Sequence, residues 1–135
     1  MPESKKRLLI VDDEPGICDL LKIKFQHEGL EVFIAYEGAE GFEKALKEKP
    51  DCVLLDIRIP NGQDGLTFLR RARSYRSDDS KEQNRMRNLP VIILTATGDG
   101  MRPLFELEGV SDFIEKPFDS KDLKNRVFKV LHLPV

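Results

Sequence analysis

Five short apolar blocks, separated by amphipathic stretches, most constrain what this chain can fold into. They are Leu8–Val11, Val32–Ala35, Cys52–Leu55, Val91–Leu94 and a weaker Asp112–Ile114. Hydrophobic and polar residues do not alternate within them, so each block predicts a strand covered on both faces, the condition of a parallel sheet. Between the blocks lie helical stripes. Ile17, Leu20, Leu21 and Phe25 form one, ended by Gly29, and Ala39, Phe42, Ala45 and Leu46 form a second, ended before Pro50. Leu66, Leu69 and Ala72 mark a third, and Leu123, Val127, Val130 and Leu131 a further one. Strand and helix alternating over 135 residues predict a single doubly wound α/β domain spanning residues 1–135, with five parallel strands and helices on both faces.

Two connections depart from this regularity. Ser74 to Asn88 is rich in charge, and only Tyr75 and Met86 offer apolar surface. It reads as a long exposed loop or a frayed extension of the third helix. Gly98 to Gly109 should hold a helix, yet Gly98, Gly100 and Pro103 fall inside it, so that helix is expected to be short.

Charge and composition exclude several function classes. The 22 basic and 24 acidic residues, net charge -2, are interleaved, which gives no electrostatic case for nucleic acid or an anionic membrane. The apolar blocks are far shorter than the roughly 18 residues that span a bilayer. The basic start, Met1 to Arg7, meets Asp12 and Asp13 too early to lead a signal peptide, so the chain reads as cytoplasmic. Cys18 and Cys52 have no CxxC spacing and are expected to be two buried thiols.

Ligands of open α/β sheets bind beyond the carboxyl ends of the strands. There the first strand ends in Asp12 and Asp13, the third in Asp56, the fourth in Thr95, and the fifth in Lys116 followed by Pro117. If the first and third strands are neighbours, as in the flavodoxin-like order 2-1-3-4-5, three carboxylates meet in one crevice beside a hydroxyl and an ammonium. Each carboxylate pair would repel by roughly 4 kcal/mol at 4 Å and an effective dielectric near 20, so a compensating cation is expected. All-oxygen ligands without His or Cys favour a hard ion, and a shallow site suits magnesium. Magnesium beside a lysine suggests a phosphate. The turn Asp13-Glu14-Pro15-Gly16 matches neither GxGxxG nor GxxxxGK[ST], so the phosphoryl group is expected on a carboxylate of the protein itself.

These residues resemble the receiver domain of bacterial two-component response regulators. The resemblance rests on Asp12-Asp13 after "LLIV", Asp56 in "CVLLDIRIP", Gly65 in "DGL", Thr95-Ala96 after "VIIL", and Phe113 ahead of Lys116-Pro117. It implies that Asp56 is the phosphoacceptor, that Asp13 binds Mg2+ directly and Asp12 through water, and that the Arg58 backbone carbonyl is a further ligand. It implies that Thr95 and Lys116 contact the phosphoryl group and that the rotamer of Phe113 reports the state. The implied partners are a sensor histidine kinase or phosphotransfer protein as donor, and a downstream protein target that the sequence does not name.

Plainer readings exist for each residue. Asp is common at strand ends, Thr95 is β-branched, Thr97 suits a helix cap, Glu14 a first-turn charge, and Phe113 core packing. His27 and His132 are expected at the surface, and Lys5 to Arg7 and Arg70, Arg71, Arg73 as solvated faces. An alternative of another class is a magnesium-dependent phosphatase of the haloacid-dehalogenase type, which also forms an aspartyl-phosphate. Its DxDx[TV] signature needs a carboxylate two places beyond the nucleophile, where this chain has Arg58. A non-phosphorylated binding module is the other alternative, against which the intact acidic set speaks. Departures from the family are a Thr95 to Phe113 stretch about one residue short, Pro103 within it, Phe113 in place of the commoner Tyr, and the long Ser74 to Asn88 connection.

Overall fold

The computed structural model describes residues 5–57, 62–96, 100 and 102–135. Its strands are β1 (Arg7–Val11), β2 (Glu31–Ala35), β3 (Cys52–Asp56), β4 (Val91–Ala96) and β5 (Asp112–Lys116). Its helices are α1 (Pro15–His27), α2 (Gly38–Glu48), α3 (Gly62–Arg73), α4 (Ser80–Arg87), α5 (Arg102–Glu108) and α6 (Ser120–Val130). All strand pairs are parallel, in the order β2-β1-β3-β4-β5, which is the flavodoxin-like arrangement.

The unbroken apolar blocks explain the layering. Alternate residues point to opposite faces, and both faces are buried. Leu8, Ile10, Cys52, Leu54, Ile92 and Leu94 pack under α1 and α6 through Phe25, Leu123 and Val127. Leu9, Val11, Val53, Leu55, Val91 and Ile93 pack under the other helices through Phe42, Leu69, Met86 and Phe105. Two cores therefore clamp one sheet, and its carboxyl edge is held as a rigid rim. Gly65 belongs to this packing: a Cβ there would lie 2.8 Å from Cγ2 of Ile57, so α3 could not approach the sheet as closely.

The Ser74 to Asn88 connection is neither a loop nor an extension of α3 but contains a helix of its own. Asp79 caps α4, its carboxylate accepting from the N–H groups of Lys81 at 3.0 Å and Glu82 at 3.4 Å. Met86 is fully buried beneath it. Pro103 does not break α5 either: it is the second residue of that helix, where a missing N–H leaves nothing unpaired. The helix is short, as expected, and Phe105 is its buried residue.

The arginines of α3 are not merely solvated. Arg71 stacks its guanidinium 3.9 Å from the centre of the Phe42 ring. Arg73 donates to the carbonyls of Glu108 at 3.1 Å, Gly109 at 2.7 Å and Arg87 at 3.1 Å. One cation thus closes the carboxyl ends of α4 and α5 together, where the helix dipole also favours it. Lys5 and Lys6 are exposed as expected, whereas Arg7 donates to the Glu48 carbonyl at the end of α2.

Two outcomes follow from this packing. Arg73→Met should lower stability by about 1.5–3 kcal/mol, the usual worth of hydrogen bonds to a charged group, read from the urea midpoint; an unchanged midpoint would show that the carbonyls are equally well solvated. Cys18 and Cys52 are both free and buried. Burial, then the charges of neighbouring aspartates, pushes the Cys18 thiol to about 11, and burial pushes Cys52 to about 12. Neither thiol should react with a disulfide reagent at pH 8 until the protein is unfolded.

Candidate functional site

The carboxyl rim of the sheet gathers the residues singled out in the sequence. Asp12 follows β1 directly and stays tied to the sheet, its N–H donating to the Ala35 carbonyl at 3.0 Å. Its side chain is buried, and its Oδ1 accepts from the Glu14 N–H at 2.9 Å, which turns the chain into α1. Asp13 is exposed at that turn. Asp56 ends β3, between β1 and β4, and the next N–H, that of Ile57, donates to the Leu94 carbonyl at 3.0 Å. The strand therefore continues its pairing past the acid and holds it still.

One carboxylate oxygen from each of Asp12, Asp13 and Asp56 lies within 4.8 Å of the others. Lys116 reaches across from the end of β5, its Nζ donating to Asp56 Oδ1 at 2.6 Å. The Asp56 side chain is 1% exposed and that of Lys116 26%, so the cation reaches from partly solvated ground to a buried anion. Thr95 is buried at the end of β4. Asp56 pairs in register with Leu94, which places Thr95 one residue farther along the neighbouring strand. Lys116 in turn stands opposite Ala96.

The electrostatics follow from burial. Desolvation pushes Asp56 up to about 6, the Lys116 hydrogen bond opposes that shift, and the nearby Asp12 charge adds to it. Asp56 is thus an acid whose charged form the fold disfavours and a cation relieves. All-oxygen donors so close together suit a small hard cation that keeps part of its water shell, and among the described residues no histidine or cysteine belongs to the cluster. The cluster fits magnesium on its donor chemistry.

Phe113 is the second residue of β5, half-buried opposite Ile93 and packed against the core under α5, three places before Lys116. Arg102, which the sequence reading passed over, lies with its guanidinium 4.4 Å from the Phe113 ring centre. Asp64 was also missed: it accepts from the Gly38 N–H at 2.7 Å, joining the start of α3 to the start of α2. The signal for it was the "DGL" already read for its glycine. Arg58 and Thr97 lie outside the described residues. His27 and His132 are exposed, and His27 closes the end of α1 farthest from Asp13.

Residues 8–128 match the response regulator receiver domain family. A protein from Chloroflexus aurantiacus J-10-fl assigned as a response regulator has 32% identity and a TM-score of 0.76, over 96% of this chain and 99% of that one. A CheY-like receiver domain protein from Methanospirillum hungatei JF-1 has 30% identity and a TM-score of 0.77, over 96% and 95%. The BeF3-activated N-terminal receiver domain of RstA from Klebsiella pneumoniae has 28% identity and a TM-score of 0.73, over 93% and 98%.

The raised Asp56 pKa fixes the sign of a pH effect. Between the unfolded value, near 3.8, and the folded value of about 6, the native state binds more protons than the unfolded one, so stability falls as pH rises. In magnesium-free buffer the wild type should therefore lose stability relative to Asp56→Asn as pH rises from 4 to 6, with a constant gap above. Parallel urea midpoints for the two proteins across that range would show that Asp56 titrates normally.

Proposed function

Since this chain belongs to the response regulator receiver domain family, we propose that it accepts a phosphoryl group on Asp56 from the phosphohistidine of a sensor histidine kinase or phosphotransfer protein. One observation carries the reading. A buried carboxylate at a rigid strand end is flanked by two further acids on one side and held by a lysine on the other.

The chemistry is a displacement at phosphorus. An Asp56 oxygen forms the new P–O bond as the P–N bond of the donor breaks, and the imidazole leaves with that electron pair and takes up a proton. Asp13 would hold Mg2+ directly and Asp12 through water, with Asp56 and the Arg58 carbonyl as the remaining protein ligands. Bound magnesium supplies charge neutralisation and alignment of the incoming phosphoryl oxygens. Lys116 already sits on Asp56 and needs only a short movement to pair with a phosphoryl oxygen instead. Thr95 offers its hydroxyl from the next strand. The modification adds about 1.5 to 2 negative charges and three strong acceptors, so both residues gain partners that exist only in the modified state.

That gain is a differential interaction, which is what a two-state switch requires. The consequence is a changed face around Phe113 and α5 for a downstream protein, so the chain acts as a signalling domain rather than an enzyme with turnover on a free substrate. It forms one receiver unit over residues 1–135 and works in the cytoplasm without direct contact with nucleic acid. Among the described residues no helix is long and apolar enough to cross a membrane.

Incubation with acetyl phosphate and magnesium should add the mass of one phosphoryl group to the wild type and none to Asp56→Asn. Labelling of that variant equal to wild type would refute the assignment. The magnesium concentration for half-maximal labelling should rise by about tenfold or more in Asp13→Asn and by less in Asp12→Asn, because direct coordination is lost only in the first. Equal titration curves for Asp13→Asn and wild type would remove Asp13 from the ligand set.

A further inference from the structure

Helix α5 is joined to the molecule at its two ends in unequal ways. At the carboxyl end the Arg73 guanidinium takes the Glu108 and Gly109 carbonyls, and Arg70 pairs with the Glu108 carboxylate at 3.3 Å. At the amino end the first residue, Arg102, lies over the face of Phe113 at 4.4 Å. Between the two ends Phe105 is buried, whereas Leu107 is 82% exposed and Leu104 38%. Glu106, one turn on, holds the guanidinium through Nε at 3.1 Å. Phe113 itself lines a groove of about 520 Å³ with Arg102, Pro117, Phe118 and Arg126.

We propose that Arg102 is a latch: its cation–π contact holds the Phe113 ring toward the groove and the amino end of α5 against β5, opposing any inward turn of that ring. This rests on the receiver reading of the acidic site and names the residue that sets its resting balance. The geometry supplies the direction. Phe113 and Thr95 share one face of the sheet, since Ile93 stands opposite Phe113 and Glu115 opposite Thr95. A ring that turns toward the buried Thr95 side leaves the guanidinium behind, so the contact belongs to one arrangement and not the other. Phe113 has no hydroxyl, so its ring at the groove has no hydrogen bond of its own, and a contact to the ring face is the specific polar restraint this side chain can have. The tether to Glu106 reduces the freedom Arg102 would otherwise lose in making it.

The latch gives a measurable population effect. Apparent affinity for an activating ligand falls by the fraction of molecules in the competent state. A cation–π contact at an exposed site is worth enough to change that fraction about two- to fivefold. The test titrates the full chain with beryllofluoride and magnesium, following the amides of Val110 to Lys116 by NMR. Arg102→Met, which keeps the stem and removes the charge, should bind beryllofluoride about two- to fivefold more tightly than wild type, and Arg102→Lys should recover part of the difference. In a Phe113→Leu background the Arg102→Met change should have no effect, because the partner ring is gone.

The opposite sign separates a latch from a field. If Arg102 merely attracted the anion, its removal would weaken binding, and would do so with or without the ring. Equal or weaker binding by Arg102→Met, or an effect that persists in the Phe113→Leu background, overturns the proposal. Failure of the underlying reading is distinguishable, since wild type and Asp56→Asn would then respond identically to beryllofluoride, and the latch would lose its role with it. Upfield Arg102 δ-proton shifts in the ligand-free wild type, absent in Phe113→Leu, report the contact independently; their absence also overturns it.

Discussion

The structure turns on a buried anion that its own fold disfavours. A parallel sheet covered on both faces has a dry interior, and Asp56 stands at the edge of it with an almost wholly covered side chain. Asp12 is buried beside it. Two acids in this position would be untenable without the Lys116 ammonium, which arrives from a strand two places away in the sheet. Removing one partner of such a pair is more damaging than the pair is stabilising. The site therefore holds a carboxylate open to a better counter-charge, and in the proposed reaction both a hard cation and a phosphoryl group would rearrange that balance.

Rigidity is distributed to suit this. The strands that carry the acids, β1 and β3, are central or nearly so and are sealed by packing from both helical layers. Helix α1 is bound through Cys18, Leu21 and Phe25, and α6 through Leu123, Val127 and Phe128. Helix α5 has Phe105 for a core anchor. Segments that move are drawn from those with few buried contacts, and here α5, which like α4 buries a single residue, adjoins Phe113 and the strand that delivers Lys116. In the proposed switch, a change of charge at Asp56 would be felt there, where little packing resists it.

Much of this was legible in the sequence, because the apolar blocks are long enough to show two-sided burial and their terminal residues are all polar. Asp12, Asp13, Asp56, Thr95 and Lys116 were found at strand ends, and the strands bring them together. Strand order itself required the family resemblance, since a register of neighbours cannot be read from hydrophobicity alone. Helix α4 was missed for a local reason. A single buried residue, Met86, gives no periodic stripe, and its mark is the Asp79 cap with Glu82 three places on, a capping signature set in a polar stretch. The arginines were misjudged for a related reason. Sequence shows charge but not geometry, and guanidinium groups that close helix ends or cover a ring look like any exposed basic face.

Those arginines also show how a receiver of this composition can hold helices that each bury only one side chain. Arg73 satisfies carbonyls at the ends of α4 and α5 at once, so the two helices share a single polar fastening. A hydrogen-bonded fastening fixes position along a helix end while leaving rotation about it inexpensive, whereas burying another large apolar side chain would fix the whole face. Replacing such contacts with core would make α5 more stable and less responsive, since a switch can be driven only by an interaction comparable in size to what holds it. On the proposed latch, the same logic accounts for a ring without a hydroxyl at Phe113: the restraint would lie not in a polar group of the ring itself but in Arg102 on α5.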